Sequence, residues 1–197
     1  MMKCRTLSLI VILFMAFSGF SQHKVEREHR IVCGQFPEKA VKTVKEKLDG
    51  IAIKNLMYYQ EIDSTERRFS AKFKKDRLFY HMDFNMDGNL QNVGYMIEEV
   101  DIPEETLANI STHLADNFEK PRTRRMFQQY LINDFETTEK ILDTAFQNLL
   151  SSTVVYKFII TGKNKGTRQY YEVTFDAEGD LKHMRESLPA NYDHVLY

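Results

Sequence analysis

Cysteine is scarce in this chain of 197 residues, and its scarcity excludes a disulfide framework. Cys4 precedes an apolar run near the amino terminus, and Cys33 is the only other cysteine. After removal of a leader that contains Cys4, Cys33 has no partner in the same chain, so packing must stabilise the fold. Because Cys4 stands before the apolar run and not after it, it is not a site of lipid attachment, and we expect no lipoprotein.

A strong excess of charge of either sign is also missing. The chain has 27 basic and 28 acidic residues, and removal of Lys3 and Arg5 with the leader leaves 25 basic residues against the same 28. Nucleic-acid binding usually requires a basic surface, so we expect no nucleic-acid partner. No segment after the leader is long and apolar enough to span a bilayer, so no transmembrane segment is predicted.

The patterns that carry catalysis or bind cofactors are absent too. The sequence contains no Ser-His-Asp order, no glycine-rich phosphate loop and no paired carboxylates of the kind used in acid–base chemistry. The six histidines show no metal-ligand spacing. Cys33 has no identifiable histidine partner that would make it a nucleophile. The sequence therefore predicts a protein with no enzymatic activity and no cofactor.

The first 21 residues have the pattern of a secretory signal peptide. Lys3 and Arg5 precede a short apolar run, Leu7 to Phe17, and a small-x-small cleavage pattern ends at Ser21. The run is too short for a spanning helix. We therefore predict export, to the periplasm or to the cell exterior.

An internal repeat covers nearly all of the remaining chain. The segment Phe36-Pro37-Glu38 recurs 66 positions later as Ile102-Pro103-Glu104. Further matches at the same offset pair Val41, Val44 and Leu48 with Leu107, Ile110 and Leu114. Matches at an offset of 91 pair Arg77, Tyr80, Phe84, Gly88 and Leu90 with Arg168, Tyr171, Phe175, Gly179 and Leu181. The growing offset indicates an insertion in the second copy, and the repetition without a repeated catalytic set indicates a scaffold built by duplication.

The sequence pattern of each copy predicts one helix followed by about four antiparallel strands. Pro37 suits the first turn of a helix, and Val41, Val44 and Leu48 form one apolar stripe. Alternating apolar and polar residues in the segments that follow predict strands joined by hairpins. We therefore expect an α+β protein of two tandem helix-plus-antiparallel-sheet units, with the helices packed on one face of the sheet and the other face wet.

The predicted organisation has five parts. They are a signal peptide at 1–21, a polar segment at 22–35, a first unit at 36–101, a second unit at 102–188 and a tail at 189–197. The second unit carries an extra helix at about 134–150, capped by Asn133-Asp134. Arg122 to Leu131 is ambiguous, since its counterpart is strand-like but Pro121 would equally suit a helix start, and we predict a strand.

The repeated features resemble those of PepSY-like exported proteins. The resemblance rests on the Pro-Glu helix starts, on the tyrosine-rich hairpins and on the Phe-x-x-x-Gly-x-Leu turn, and it covers roughly Phe36 to Leu188. That family shares a tandem helix-plus-sheet architecture with the β-lactamase-inhibitor protein. The resemblance implies non-catalytic binding, in some members inhibition of a peptidase or other hydrolase, and it supplies no catalytic residues to carry over.

Two aromatic residues are the candidate partner-binding positions. Phe79 and Tyr170 occupy equivalent places in the two copies, and alternation puts them opposite the core-facing Tyr80 and Tyr171. Exposed aromatics on a sheet face are typical interface anchors. His81 shares the face of Phe79 and joins this set. If the tail or the inserted helix covers that face, these residues are ordinary core.

A calcium-loop pattern begins in the first copy. Asp83, Asn85 and Asp87 stand at the first three ligand positions, but Gly94 stands where the bidentate glutamate should be. A β-turn that needs Gly88 at positive φ explains the same residues. We predict the turn and no metal site.

The sequence therefore predicts an exported, non-catalytic binding protein that holds a protein or peptide partner on its open sheet face. Two alternatives stay open. One is a small-ligand carrier or enzyme with a pocket between the two units, which requires a deep cavity lined by convergent polar groups. The other is a calcium-dependent envelope module.

Overall fold

The computed structural model describes residues 27–62, 67–164 and 166–187. These residues form one antiparallel sheet of nine strands together with three α-helices, so the predicted α+β class is confirmed. None of the three helices has the length and apolar character needed to cross a membrane. The predicted signal peptide and the tail at 189–197 lie outside the described residues.

The helices and strands have the following bounds. The helices are α1 (Glu38–Leu48), α2 (Glu104–Asn117) and α3 (Thr138–Phe146). The strands are β1 (Arg27–Ile31), β2 (Ile53–Ile62), β3 (Arg67–Lys75), β4 (Leu78–Phe84), β5 (Leu90–Ile97), β6 (Glu119–Leu131), β7 (Val155–Asn164), β8 (Thr167–Phe175) and β9 (Leu181–Ser187). The ambiguous segment before Leu131 belongs to β6, so the prediction of a strand there is confirmed.

Each strand from β2 to β9 pairs with the strand that precedes it in the sequence. The order in the sheet runs from β1 to β9 without a crossover, and all eight pairings are antiparallel. The pairing of β5 with β6 makes the sheet continuous from the first half of the chain to the second.

The three helices pack on one face of this sheet. Ala40, Val44 and Leu48 are the buried stripe of α1, and Ile110 and Leu114 are buried on α2. These side chains join one continuous apolar cluster with the inward-facing residues of the sheet. Full burial of each aliphatic side chain stabilises the fold by about 1.5–3 kcal/mol. The cluster therefore fixes which face of the sheet is inside.

The third helix is shorter than the sequence predicts. Its N-cap is Thr137, whose hydroxyl oxygen accepts a hydrogen bond from the backbone amide of Lys140, so the predicted cap at Asn133-Asp134 is wrong. A short 3-10 turn, Ile132–Asp134, occupies that place. Phe146, at the end of α3, packs 5.2 Å from the ring of Tyr80, on the same face as the other two helices. The inserted helix therefore leaves the opposite face uncovered.

Two turns of the same build connect β4 to β5 and β8 to β9. In the first, Asn85 Oδ1 accepts hydrogen bonds from the amides of Asp87 and Asn89, at 3.1 and 2.9 Å. In the second, Asp176 Oδ1 accepts from Glu178 and Asp180, at 3.2 and 2.8 Å. The glycines of both turns have positive φ and lie against a helix, Gly88 on Ala40 of α1 and Gly179 on Thr106 of α2.

The sheet is strongly curled. Arg185 on β9 lies 3.1 Å from Glu61 on β2, although seven strand steps separate these strands and a flat sheet would hold them roughly 34 Å apart. Bulges interrupt β2 and β6, and Asn55 and Lys120 take positive φ there. Bulges bend strands and increase twist, which favours the curl. The face opposite the helices is therefore concave and partly enclosed, whereas the sequence predicted an open, wet face.

Candidate functional site

The concave face carries two adjoining hollows. The larger is a groove of about 750 Å³ whose walls come from eight strands, β2 to β9. The smaller is a cavity of about 60 Å³. Four side chains line both hollows and form their common wall, namely Glu61, Ser70, Asp83 and Lys157. The groove falls in the size range of ligand-binding clefts.

Arg185 pairs with two carboxylates in the groove. Its guanidinium lies 3.1 Å from Glu61 and 3.0 Å from Glu172, and the three side chains are largely shielded from solvent. Burial alone would raise the pKa of Glu172, but Lys157 and Arg185 bring it below its ordinary value. Arg185 thus links β2, β8 and β9 through ion pairs. Strands β2 and β9 are not paired with each other through backbone hydrogen bonds.

Lys157 lines both hollows of the concave face. Burial alone would lower the pKa of its ammonium group, but the carboxylates of Glu172, Asp83 and Glu61 raise it above its ordinary value. Burial would likewise raise the pKa of Asp83, which the surrounding positive charges and a hydrogen bond from Ser70 instead lower. These groups form a network in which each charge stabilises its neighbours.

His81 is fully packed and neutral at ordinary pH. Its side chain is buried, and burial lowers its pKa to about 4. The amide nitrogen of Gln129 donates a hydrogen bond to His81 Nε2 over 2.8 Å, and the ring of Phe127 lies edge-on at 5.5 Å. Gly94 provides the room, because a Cβ at that position would lie 2.6 Å from His81 Cε1. The ring is thus held in one orientation.

Ser70, His81 and Asp83 lie close together, but their hydrogen bonds do not match those of a catalytic triad. The hydroxyl of Ser70 donates to Asp83 Oδ1, and His81 Nε2 lies 3.9 Å from Asp83 Oδ2. In a catalytic triad the histidine stands between the hydroxyl and the carboxylate and takes the hydroxyl proton. Here the carboxylate stands between the other two, so no histidine accepts the hydroxyl proton of Ser70, and the lowered pKa of Asp83 makes that carboxylate a weak base.

Glu28 and Lys72 form a further ion pair at the cavity. Lys72 Nζ contacts Glu28 Oε1, and both side chains are about nine-tenths buried, with 12% and 10% of their surfaces exposed. Lys72 also lies over the ring of Tyr59, 4.7 Å from its centre. Burial raises the pKa of Glu28, although Lys72 opposes the change. The other carboxylate oxygen, Glu28 Oε2, is buried without a hydrogen-bond partner in the structure.

Several solved structures are similar to this chain. A DUF2874 family protein from Bacteroides ovatus is 11% identical, with 77% of this chain and 87% of that one covered and a TM-score of 0.47. A proposed periplasmic protein from Bacteroides eggerthii is 12% identical, with 82% and 96% covered and a TM-score of 0.44. A BLIP-like protein from Bacteroides fragilis is 14% identical, with 76% and 86% covered and a TM-score of 0.41. Neither a family model nor a curated protein matches the chain. Membership of the PepSY-like group therefore stays a prediction.

The structure separates the two predicted aromatic anchors. Phe79 lines the small cavity and has Lys74 over its ring, 5.0 Å from the centre. Tyr170 lies four strands away, opposite Thr161 in the register, and lines neither hollow. Both side chains are half-buried. His81 lines the cavity beside Phe79, so these two of the three predicted residues share one site.

The residues of the calcium-loop pattern, Asp83, Asn85 and Asp87, do not converge on one site. Asp83 faces Ser70 and His81 on the concave face, whereas Asn85 uses its side-chain oxygen to cap the turn. Among residues 27–62, 67–164 and 166–187, no group of three acidic, histidine or cysteine side chains is placed to hold a metal ion.

Sequence reasoning missed most of the charged network. The missed residues are Glu28, Glu61, Lys72, Lys157, Glu172 and Arg185. A signal was present in two of them, because Lys157 stands between the buried residues Tyr156 and Phe158, and Glu172 stands between the buried residues Tyr171 and Val173. A lone charge among buried neighbours requires a partner or a function. The partners themselves come from distant strands, so the pattern could not name them.

Proposed function

We propose that this chain is an exported, non-catalytic binding protein that receives part of a protein or peptide partner in its concave face. The observation that carries the proposal is the groove of about 750 Å³ on the face left free by the helices. The paired charges of Arg185 with Glu61 and Glu172 belong to its lining. The exposed Arg67, Lys182 and His183 line it as well. Charges held in fixed positions favour a partner surface of complementary charge.

A binding role without catalysis is supported by the order of the polar groups. Ser70 donates to Asp83 instead of to His81, so the groups that could perform acyl transfer do not face one another in the required sequence. The PepSY-like resemblance points the same way, since it implies binding and, in some members, inhibition of a hydrolase. Peptidases and other hydrolases are therefore the partner class to assay first. Export is supported by the leader pattern at 1–21.

The two-unit organisation is part of this proposal. Each predicted unit opens with a proline before its helix, Pro37 for α1 and Pro103 for α2. Each has an equivalent glycine turn just before its last strand, and that turn lies against the unit's own helix. We propose that the units at 36–101 and 102–188 arose by duplication and that their sheets merged at the junction of β5 and β6.

A small-ligand carrier is the second candidate, and one observation favours it. The groove is lined by residues of both predicted units, including Asp83 and Asn92 from the first and Gln129 and Lys157 from the second. A cleft with convergent polar groups at such a junction is where small ligands commonly bind. Native mass spectrometry of the protein isolated from its own cells distinguishes the candidates, because a carrier should retain a molecule of fixed mass.

Affinity capture from a periplasmic extract tests the first candidate. The wild-type chain should retain a partner in stoichiometric amount, and Phe79→Ala should lose it, because Phe79 lines the cavity. Tyr170→Ala tests the second predicted anchor in the same way. Val100→Ala is the matched control, since Val100 is 86% exposed and lies outside both hollows. Equal capture by Phe79→Ala, Tyr170→Ala and the wild type would refute the use of this face.

A further inference from the structure

The first half of β6 lies outside the pairing with β5. The register of these two strands runs only from Leu131 to Met126 on β6, so within the sheet residues 119–125 pair with β7 alone. Two bulges interrupt this half of β6, and Lys120 takes a φ of 52° there. Bulges and charged residues hinder the addition of another strand to an edge, and bulges re-aim side chains. We therefore expect this segment to meet a partner through its side chains and not through its backbone.

The side chains of this segment are mainly basic. Lys120, Arg122 and Arg124 are exposed. Within the part of the chain that the structure describes, none of these three side chains makes an ion pair or a hydrogen bond. Glu119 is the one acidic residue at 119–125, and it lies 3.5 Å from Lys163 on β7. The positive charges of Lys120, Arg122 and Arg124 are therefore available to a partner.

The neighbouring strands add two basic residues at the same place. Lys163 lies opposite Glu119 in the register, and Arg168 on β8 lies opposite Lys163. The guanidinium of Arg168 donates a hydrogen bond to the carbonyl oxygen of Lys120 over 3.2 Å. Neighbouring strands lie about 4.8 Å apart, so the three strands gather these charges across roughly 10 Å of the sheet. We name this set the basic corner, and its members are Lys120, Arg122, Arg124, Lys163 and Arg168.

The charge balance of the basic corner differs from that of the buried network. In the network, Arg185 contacts the carboxylates of Glu61 and Glu172. In the basic corner, the five basic side chains share their strand ends with a single carboxylate, that of Glu119. The whole chain has 27 basic and 28 acidic residues, so this excess of positive charge is local. Such a surface attracts an anionic partner and repels a cationic one.

Part of the basic corner belongs to the concave side of the sheet. Arg122 lies opposite Thr161, and alternation puts Thr161 on the same face of β7 as Lys157. Tyr170, the second predicted anchor, lies opposite Thr161 on β8 and therefore shares this face. Arg125, which ends the same segment of β6, lines the small cavity. A partner that covers the concave face therefore reaches Arg122 and the ring of Tyr170.

The composition of the corner favours protein carboxylates over a lipid surface. Binding to a membrane surface combines electrostatic attraction with the burial of apolar side chains. The large exposed apolar side chains of the described residues all lie outside 119–125, 161–164 and 167–170. The planar guanidinium of arginine matches a carboxylate with two parallel hydrogen bonds. An acidic protein segment is therefore the chemistry that fits this surface.

From these observations we infer that the basic corner binds an acidic segment of the docked partner, whose carboxylates accept hydrogen bonds from Arg122 and Arg124. The inference rests on the proposed binding function and adds the charge of the partner surface that meets this end of the sheet. It assigns a role to a surface that lies outside both hollows.

Titration with a capped hexaglutamate peptide tests the basic corner without any partner protein. We expect saturable shifts of the amide resonances of Arg122, Arg124 and Arg168 at pH 7, and no saturable shifts with hexaglutamine. Arg122→Gln with Arg124→Gln should weaken hexaglutamate binding about tenfold, because two exposed ion pairs of modest strength are lost. Lys42→Gln with Lys45→Gln is the matched control, because it removes the same charge from exposed positions on α1 and should change the affinity less than about twofold.

The two peptides are compared on the wild-type chain, so the test stays decisive even if a variant does not fold. Equal binding of hexaglutamine, no saturable shift with hexaglutamate, or equal affinities of the two double variants would overturn the inference. Co-sedimentation of the wild type with phosphatidylglycerol vesicles, lost in the double arginine variant and without hexaglutamate binding, would overturn the choice of a protein segment.

Partner capture separates this inference from the proposed function. The double arginine variant should retain a captured partner about tenfold less well than the wild type does, in line with the peptide result. Undiminished capture would overturn the inference and leave the proposed function in place. Failure of the wild type to capture any partner, with hexaglutamate binding intact, would count against the proposed function alone.

Discussion

Gly94 on β5 lies directly opposite His81 on β4, and the imidazole occupies the space that a side chain at Gly94 would need. A Cβ there would lie 2.6 Å from His81 Cε1 and equally close to the carbonyl oxygen of Gln128 on β6. Contacts this short cannot be relieved by the backbone of β6, which is fixed by pairing on both sides.

The first prediction follows from that contact. Gly94→Ala should lower the free energy of unfolding by about 1–3 kcal/mol, the usual cost of overpacking a well-packed site. Urea denaturation measures it. Gly34→Ala is the matched control, because nothing lies within 4 Å of a Cβ at Gly34. A Gly94→Ala protein as stable as the control would show that His81 can leave its place freely.

The second prediction concerns pH. Burial lowers the pKa of His81 from 6.5 to about 4, so the unfolded state binds a proton before the folded state does. Stability should therefore fall as pH drops from about 6.5 to about 4, by roughly 3 kcal/mol in total. His81→Gln should flatten the profile in this window, as measured by urea denaturation at several pH values. His183→Gln, at an exposed position on β9, should leave the profile unchanged, and a wild-type profile in His81→Gln would contradict the assignment.

The third prediction tests the ion pairs that close the curl. Arg185→Met removes the cation that faces Glu61 and Glu172, leaving two shielded carboxylates without it. We expect a loss of about 3 kcal/mol in unfolding free energy, since breaking a buried pair leaves an uncompensated charge. Adding Glu172→Gln should restore part of the loss. Lys42→Met, which breaks an exposed pair with Glu46, should cost less than about 1 kcal/mol. Equal effects of the two single changes would argue against a special role for Arg185.

The fourth prediction concerns the two glycine turns. Gly88→Ala and Gly179→Ala should each destabilise the protein more than Gly50→Ala. All three glycines have positive φ, which by itself costs an alanine about 1 kcal/mol. At Gly88 and Gly179 a Cβ would also lie within 2.9 and 2.7 Å of helix backbone atoms, whereas at Gly50 nothing lies within 4 Å. Thermal unfolding of the three variants measures the difference, and three equal shifts would show that the helix contacts are relaxed at little cost.

Local features of the fold could be predicted because they depend on neighbours in the sequence. The Pro-Glu pairs mark the starts of α1 and α2, and the alternation of large and polar residues gives the strands. The turn at Gly88 was predicted from the need for positive φ, which the structure confirms. The cap of α3 was missed, because Asn133 and Thr137 are both good capping residues and the sequence pattern does not distinguish them.

The concave site could not be predicted in full, because alternation tells which face a residue takes and not how that face bends. Phe79 and His81 were placed on this face from the sequence, and both line the cavity. The pairing of Glu61 with Arg185 spans 124 positions, and no local pattern relates them. The curl of the sheet brings β2 and β9 close enough for their charged side chains to pair. It also makes the face that was predicted to be wet partly enclosed.

The unbroken order of strands has a consequence for how the chain reaches its final shape. Since each strand from β2 to β9 pairs with the one before it, each pairing can form as soon as its second strand is available. The ion pair of Arg185 with Glu61 is the exception, because it requires the last strand. The sheet can therefore form from its amino-terminal end. The groove on the concave face acquires its final shape only when β9 has paired.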